Sequence, residues 1–275
     1  MKNEKGKLYL VPTPIGNLKD ITFRAIETLN MVDLILAEDT RTSSVLLNHY
    51  SIKTPAQSYH KFNEKEMSAK IIKKLEEEQN IALISDAGTP LISDPGAVLI
   101  AELYSRGIVP VPLAGACAFV TFMSAISLPE PNFEFVGFLP HKQKEREQIF
   151  EKCKDHTVVF YESPNRIVNT LMDWQKLFPD GEVAIGRELT KIHEEIKQGK
   201  VVDVIDYYTK KPPKGEIVGA FLKVDTPKQD VERYIRPLLK EGYGAKDISK
   251  ILAVVFGANK KEVYQQALES INKEG

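Results

Sequence analysis

Short runs of β-branched and other apolar residues alternate with segments of helical periodicity along most of the chain. In the first half, apolar runs lie at Leu8–Val11, 33–37, 81–85 and 108–111, and an amphipathic segment at 64–78 separates two of them. Such alternation is typical of strand–helix–strand crossovers, which build a mostly parallel sheet. The pattern therefore predicts an α/β fold.

The pattern changes at the proline-broken link 128–132, which we interpret as a domain boundary. Some of the later connections are too short for helical crossovers, so the second sheet should be mixed. After residue 227 only helical patterns remain. We predict an N-terminal α/β domain (1–128), a C-terminal mixed α/β domain (129–225) and a small helical module (226–275). The expected later strands are Phe133–Phe138, Thr157–Glu162, Glu182–Arg187, 193–198 and 216–224, and the expected helices of the module are 231–240, 245–256 and 260–271.

The composition favours a globular protein in a reducing compartment. Hydrophobic residues make up 43% and charged residues 27%, and no apolar run approaches the roughly 20 residues of a membrane helix. The charged start at 1–7 lacks the apolar stretch of a signal peptide. Cys117 and Cys153 are far apart, which suits buried small residues better than a disulfide or a metal site. We expect a cytoplasmic protein with no membrane partner.

Polar and glycine-containing motifs follow five of the predicted strands. In open α/β sheets the ligand crevice lies beyond the carboxyl ends of the strands, so these motifs mark the candidate site. They are VPTPIGN (11–17), AEDTR (37–41), SDAGTP (85–90) with SDPG (93–96), PLAGA (112–116) and YESP (161–164).

The third motif carries the most chemical information. Asp86 closes an apolar strand, and Gly88 allows a tight turn that places a carboxylate well for ribose hydroxyls. Asp94 precedes a helix start whose free N–H groups could hold a carboxylate or phosphate. The alternative is structural, with Asp86 ending a strand and Asp94 capping a helix.

Several common sites are excluded by the sequence. It contains no P-loop motif, no G-x-G-x-x-G after a strand and no G-x-S-x-G elbow. The histidines show no metal-ligand spacing, so we expect no metal site. Those histidines are His49, His60, His141, His156 and His193.

Six motifs in order resemble one known family. They are VPTPIGNL (11–18), AEDTR (37–41), SDAGTP (85–90), GFLP (137–140), FYES (160–163) and RELTK (187–191). Over roughly the first 225 residues the chain resembles the tetrapyrrole-methylase-like family of S-adenosylmethionine methyltransferases. Within that family it is similar to the branch that methylates the 2′-oxygen of a cytidine in 16S ribosomal RNA.

The resemblance implies two α/β domains with S-adenosyl-L-methionine in the cleft between them, usually in a homodimer. The first loop has Pro12 and Pro14 where corrinoid and porphyrin enzymes carry glycines, which favours the RNA branch. The fourth loop reads LAGA (113–116) instead of the usual Leu-Pro-Gly-Pro, so its turn should be more flexible. The residues expected to contact the cofactor are Asp86, Ala87, Gly88, Asp94, Leu113, Ala114, Gly115, Tyr161, Arg187, Glu188, Leu189, Glu216, Ile217 and Val218.

Transfer of a methyl group to a ribose hydroxyl requires alignment of the reacting atoms and removal of a proton. We expect Asp39 to act as the base, with Glu162 as second choice, although an Asp39–Arg41 ion pair that holds a loop is an equal alternative. The net charge of −1 means that RNA would need a local basic surface. The residues expected to contact the substrate are Pro14, Arg41, Lys142, Lys144, Arg146 and Lys191.

Two basic stretches, HKQKER (141–146) and KKPPK (210–214), could supply part of that surface, or each could be an ordinary solvated helix start or loop. The expected partner is 16S ribosomal RNA in the small ribosomal subunit. The alternatives are a C-methyltransferase for a tetrapyrrole precursor, a methyltransferase for modified histidine in a protein factor, and an RNA-binding scaffold without catalysis.

Overall fold

The computed structural model describes residues 5–128, 130–224, 232–256 and 258–274, which fall into two compact units, 1–223 and 224–275. The described part of the first unit contains two five-stranded sheets. Their strands are β1 (Leu8–Val11), β2 (Leu34–Ala37), β3 (Ala56–Ser58), β4 (Ile81–Ile84), β5 (Val111–Pro112), β6 (Phe133–Phe138), β7 (Thr157–Glu162), β8 (Glu182–Arg187), β9 (Glu195–Lys200) and β10 (Ile217–Phe221).

Eight α-helices lie between the described strands of the first unit, and three make up the described part of the second. They are α1 (Phe23–Met31), α2 (Thr40–His49), α3 (Glu64–Glu76), α4 (Ala97–Ser105), α5 (Ala118–Met123), α6 (Gln143–Phe150), α7 (Ile167–Leu177), α8 (Val201–Lys210), α9 (Glu232–Lys240), α10 (Ala245–Phe256) and α11 (Lys260–Glu274).

The first sheet is parallel throughout, in the order β3-β2-β4-β1-β5. All four residues of β4 are buried because helices cover both faces of the sheet. Leu83 packs in the core formed with α3 and α4, while its neighbour Ala82 packs with Leu29 of α1 on the opposite face. The predicted α/β fold is confirmed.

The second sheet is mixed, as predicted, in the order β6-β7-β10-β8-β9. Strands β6 and β7 run parallel, and the other neighbours are antiparallel. One face packs Val159 and Val218 against Phe122 of α5. On the other face Trp174 of α7 and Phe160 both stack on Phe221, with ring centroids 5.0 and 4.4 Å away.

Helix α2 and strand β3 were not predicted, and two of the predicted strands begin two or three residues later than expected. Helix α2 follows Asp39 directly, and β3 forms an edge of the sheet. The strand expected at 108–111 is reduced to Val111–Pro112, and the strand expected at 193–198 is Glu195–Lys200. The link predicted as a domain boundary, 128–132, lies between α5 and β6, and so between the two sheets.

The second unit is a three-helix module with its own core. Ile235 of α9, Leu252 of α10 and Ala267 of α11 are almost completely buried in it. The three predicted helices are present, although Val231, the predicted first residue of α9, lies outside the described residues. None of the helices among the described residues is long and apolar enough to cross a membrane.

Candidate functional site

The turn after β4 lies at the carboxyl edge of the parallel sheet, where the first loop also arrives. Thr13 and Gly88 exchange backbone hydrogen bonds of 2.9 and 3.0 Å between the two segments. The hydroxyl of Ser85 donates to the Gly88 carbonyl oxygen at 2.9 Å, and that of Thr13 donates to the Ser85 carbonyl oxygen at 3.1 Å. Gly88 forms the tight turn with a positive φ of +83°. These bonds fix the turn and leave Asp86 exposed.

The second sheet brings its own residues to the same place. Strand β10 lies between β7 and β8, so that Val218 is opposite Tyr161 on one side and Gly186 on the other. The chain after β8 turns back at Leu189, which is 7% exposed. The end of β7, the start of β10 and this turn therefore present one surface.

A cavity of about 360 Å³ lies between the two sheets, and we name it the inter-sheet pocket. Its volume suits a small molecule or cofactor. Nine of the fourteen residues predicted to contact the cofactor line it: Asp86, Ala87, Gly88, Asp94, Tyr161, Leu189, Glu216, Ile217 and Val218.

Five predicted cofactor residues do not line this pocket. Leu113 is buried in the core with α1 instead. A side chain at Gly115 would collide with Pro12, 2.5 Å away, so this glycine is explained by packing of the first loop. Arg187 lies 3.7 Å from the Glu195 carboxylate, and Glu188 pairs with Lys191. Ala114 is exposed outside the pocket lining.

Sequence reasoning missed part of the pocket wall. Phe138 lies in a quoted motif but was given no role, although its exposed ring lines the pocket beside Tyr161, with centroids 5.5 Å apart. Cys117, expected to be buried, is only partly buried and lines the pocket, whereas Cys153 is fully buried. The other unpredicted lining residues are Ile15, Thr89, Ile92, Ser93, Ala118, Ser163, Pro164 and Gly215.

Carboxylates give one side of the pocket a negative character. Burial, together with the smaller effect of the nearby Glu38 and Asp86 carboxylates, raises the pKa of Asp94 to about 6. Burial and Asp86 also raise the pKa of Glu38, against the opposing effect of His60. Asp94 therefore exchanges its proton close to neutral pH, and a bound cation would favour its charged form.

The helix start after Asp94 does not offer the anion site that the sequence suggested. The N-cap of α4 is Gly96, and the Glu64 carboxylate of α3 accepts hydrogen bonds from the amides of Gly96 and Val98 at 2.9 and 3.1 Å. An acidic side chain of the same chain thus occupies the helix terminus. Asp94 faces the pocket without capping the helix.

The two residues expected to act as a base are held by other side chains. Asp39 caps α2 and forms a 2.7 Å ion pair with Arg41, whose hydrogen bonds lower the pKa of Asp39 to about 2. Glu162 lines the pocket but is 2% exposed, and it accepts hydrogen bonds from Thr170 and Ser163 besides its pairing with Arg166. These contacts favour the ion-pair alternative for Asp39 and a structural role for Glu162.

The predicted basic residues differ in their access to solvent. The side chain of Arg41 is 90% exposed and that of Lys142 81% exposed, and Lys144 is exposed as well. The predicted substrate contact of Arg146 is corrected by the structure. Arg146 is only 8% exposed, and it donates to Asp173 at 2.5 Å and to the Pro140 carbonyl oxygen. Its guanidinium is therefore engaged inside the protein and is not presented to a phosphate.

The remaining predicted substrate residues are enclosed by their neighbours. The Lys191 ammonium group lies 2.8 Å from both Glu188 and Glu216. Pro14 is buried and lines a second cavity beside the first loop. In the other basic stretch, Lys210 pairs with Asp206 and Lys211 with Glu195. Among the described residues no group of three or more His, Cys, Asp or Glu side chains could hold a metal ion.

Comparison with known proteins identifies the family. The model of the tetrapyrrole (corrin/porphyrin) methylases matches residues 7–205. A protein named ribosomal RNA small subunit methyltransferase I from Halalkalibacterium halodurans is 42% identical over 96% of this chain and 95% of its own length. The protein of that name from Haemophilus influenzae is 42% identical over 99% of this chain and its whole length.

A solved structure of a diphthine synthase aligns with a TM-score of 0.65 at 13% identity, covering 79% of this chain and 90% of its own. At that identity the similarity concerns the fold alone. Methylases of this family use S-adenosyl-L-methionine as methyl donor. The chain belongs to the tetrapyrrole methylase family, and within it to the group named ribosomal RNA small subunit methyltransferase I.

Proposed function

We propose that this protein transfers a methyl group from S-adenosyl-L-methionine to the ribose 2′-hydroxyl of a cytidine in 16S ribosomal RNA of the small ribosomal subunit. The inter-sheet pocket carries the proposal, because it joins the Asp86–Gly88 turn to Tyr161 and Val218 in one cavity. The relatives named above support RNA as the substrate. We further propose that the protein is cytoplasmic, as its composition suggests, and that it is a homodimer, as the family resemblance implies.

The residues of the pocket fit this cofactor chemically. Carboxylates at Asp86 and Asp94 suit ribose hydroxyls and positively charged groups, while Ile15, Ala118 and Val218 supply apolar surface for a flat ring. When bound, the cofactor's sulfonium supplies the methyl group, and its sulfur keeps the bonding electrons as a neutral thioether.

We assign the removal of the hydroxyl proton to Asp86 in place of Asp39 or Glu162. Asp86 is exposed at the edge of the pocket, and the Asp39 amide donates to its Oδ1 at 3.0 Å, which orients the carboxylate. A carboxylate accepts several hydrogen bonds, so Asp86 can also take one from a substrate hydroxyl. Asp39 then acts as a positioning residue.

Incubation of small ribosomal subunits with methyl-labelled cofactor tests this function. A methyl group on a ribose 2′-oxygen blocks alkaline cleavage of the following phosphodiester, so the label should appear in an alkali-resistant dinucleotide that contains cytidine. Label on a base, or on a tetrapyrrole precursor in place of RNA, would contradict the proposal. Tight RNA binding without any methyl transfer would favour the scaffold alternative.

The pKa of Asp94 predicts that cofactor binding depends on pH. Because the charged form of Asp94 attracts the sulfonium, we expect affinity for S-adenosylmethionine to rise about tenfold from pH 5 to 7 and then level off, as the carboxyl titrates near 6. Calorimetry at several pH values measures this. S-adenosylhomocysteine, which lacks the sulfonium charge, should show a smaller rise, and Asp94→Asn should flatten the curve. Equal curves for the two ligands would contradict the prediction.

The helical module is expected to assist RNA docking. Residues 228–275 contain nine Lys/Arg and seven Asp/Glu, a positive excess of two, and the module closes its own core. Truncation after Asp225 should leave cofactor affinity unchanged within about twofold, or about 0.4 kcal/mol, and slow methylation of ribosomal RNA several-fold. Full RNA activity of the truncated protein would exclude the docking role, and insolubility would indicate a structural one.

The exposed lysines at the start of α6 are expected to contact RNA phosphates. They follow the pocket residue Phe138 closely in sequence, and both are exposed whereas Arg146 is not. Reversal of both charges (Lys142→Glu, Lys144→Glu) should weaken RNA binding and lower its logarithmic salt dependence by about 0.7 for each lost phosphate contact. Cofactor affinity should not change.

Reversal of Lys70 and Lys73 on α3 provides the control, because it changes the net charge equally on exposed side chains outside the pocket lining. If both double variants weaken RNA binding alike, the effect comes from net charge and the stretch 142–144 is an ordinary helix start.

A further inference from the structure

A second cavity of about 400 Å³ adjoins the inter-sheet pocket, and we name it the loop pocket. It lies between the first loop and the first turns of α2. Residues Pro14 and Gly16 line the loop pocket, whereas Ile15 between them lines the inter-sheet pocket. The first loop is therefore the partition between the two cavities.

The two cavities meet at one carboxylate. Asp86 and no other described residue lines both of them. A ligand in the loop pocket and a ligand in the inter-sheet pocket can therefore approach each other beside Asp86. In-line methyl transfer needs reacting atoms about 3–3.5 Å apart, and this junction is where such an approach can occur.

The lining of the loop pocket suits a flat ring with polar edges. Leu18, Val45 and Leu46 provide apolar surface, and Thr42 and Ser43 bring hydroxyl groups. Ser43 is 4% exposed, and its hydroxyl finds no hydrogen-bond partner among the residues that the structure describes. Buried hydroxyls are normally paired, and a small rotation about the Cα–Cβ bond would turn this one towards a ligand.

The charged residues around the loop pocket indicate where the phosphates of a ligand would lie if its ring entered the cavity. The Asp86 carboxylate disfavours phosphate inside the cavity, and it would equally disfavour a tetrapyrrole that carries several carboxylates. Arg41, whose side chain is 90% exposed, directly precedes Thr42 in α2 and can meet a phosphate outside the cavity. A nucleoside unit whose base enters while its phosphates stay outside satisfies both conditions.

We propose that the loop pocket holds the base of the nucleotide that receives the methyl group, with its ribose at Asp86 and with Ser43 as a specificity residue at the base edge. This rests on the proposed function. The target nucleotide must leave its helical stack to enter, as in other enzymes that act on single nucleotides of RNA. Neither the family match nor the family resemblance assigns a role to Ser43.

Three variants test whether the loop pocket holds the base of the target nucleotide, and one of them is a matched control. Val45→Trp introduces a large ring at a position that is 63% exposed, so it should fill the cavity without disturbing the core. Ser43→Ala removes the unpaired hydroxyl. Ser44→Ala, one residue further, removes a hydroxyl that donates to the Arg41 carbonyl oxygen outside the pocket lining, and serves as the control.

Methylation of small ribosomal subunits and calorimetric binding of S-adenosylmethionine are measured for each variant. We expect Val45→Trp to lower kcat/KM for RNA at least about 100-fold and Ser43→Ala to raise KM about 5-fold, with Ser44→Ala near the wild type. Cofactor affinity should stay within about twofold in all three. Thermal unfolding should show no loss of stability for Ser43→Ala, since the hydroxyl makes no bond in the free protein.

Two results would overturn the assignment, and they differ from a failure of the proposed function. If the wild type methylates ribosomal RNA and Val45→Trp does so equally well, the loop pocket does not hold the target nucleotide. If Ser43→Ala lowers stability and leaves KM unchanged, its hydroxyl is structural. A wild type that methylates no RNA, or a tetrapyrrole precursor in its place, refutes the proposed function itself and with it this inference.

Discussion

Replacement of Gly88 by valine is expected to abolish binding of S-adenosylmethionine and to leave the protein folded. Gly88 has a φ of +83°, which a β-branched residue rarely adopts, and its Cβ would lie 3.3 Å from Ile15 on the pocket wall. The turn would have to shift, and with it Asp86 and the hydrogen bonds to Thr13. We expect calorimetry to show an affinity loss of at least about 100-fold, or about 2.8 kcal/mol.

Gly107→Val is the matched control for this variant. Gly107 has a similar φ of +69°, but nothing lies within 4 Å of the position of its Cβ, and it does not line the pocket. Both variants carry the strain of a positive φ, and Gly88→Val should lose more stability because its turn is displaced as well. Only Gly88→Val should lose the cofactor. Normal binding by Gly88→Val would place the cofactor site elsewhere.

Removal of the Arg146 side chain is expected to cause the largest loss of stability among the basic residues considered for RNA binding. Arg146 and Asp173 have side chains that are 10% and 11% exposed, and Arg146 also donates to the carbonyl oxygens of Pro140 and His141. Loss of one partner of a buried ion pair leaves the other charge incompletely compensated. We expect Arg146→Ala to lower the free energy of unfolding by about 3 kcal/mol.

Urea denaturation followed by the fluorescence of Trp174, the only tryptophan, measures this change next to Asp173 in α7. Lys144→Ala is the control on the same helix, and its exposed side chain should matter by less than about 0.5 kcal/mol. Equal stability of the two variants would show that the buried pair contributes little. A charge reversal that includes Arg146 would therefore test folding and not RNA binding.

The sequence identified the regular parts of the fold because they follow local patterns. Strand β4 is a continuous apolar run, as a strand buried on both faces must be, and α3 has helical spacing. Two elements lacked such signals. Strand β3 is a short edge strand with two exposed residues, and α2 begins with Thr-Arg-Thr-Ser-Ser, residues that are mostly weak helix formers. The missed helix α2 carries one wall of the loop pocket.

Part of the candidate site could also be predicted, because local sequence patterns mark the ends of the strands that form it. Asp86 and Gly88 follow β4, and Tyr161 lies near the end of β7. Because the carboxyl ends of strands meet in a crevice, the position of these residues could be inferred from their order along the chain. Cys117 reaches the same pocket without a pattern of its own, and Phe138, which ends the predicted strand β6, was given no role. Their role depends on how the two sheets face each other, which no local signal encodes.

The sequence by itself determined the α/β class, the family and the strand ends that carry chemistry, because residue spacing and motif order record them directly. Only the tertiary structure decided which charged side chains remain free. In the folded protein Glu64 binds the start of α4, and Asp173 pairs with Arg146. The physical reason is that a charged side chain binds the nearest complementary group, and residues up to 34 positions apart in sequence become such neighbours only after folding.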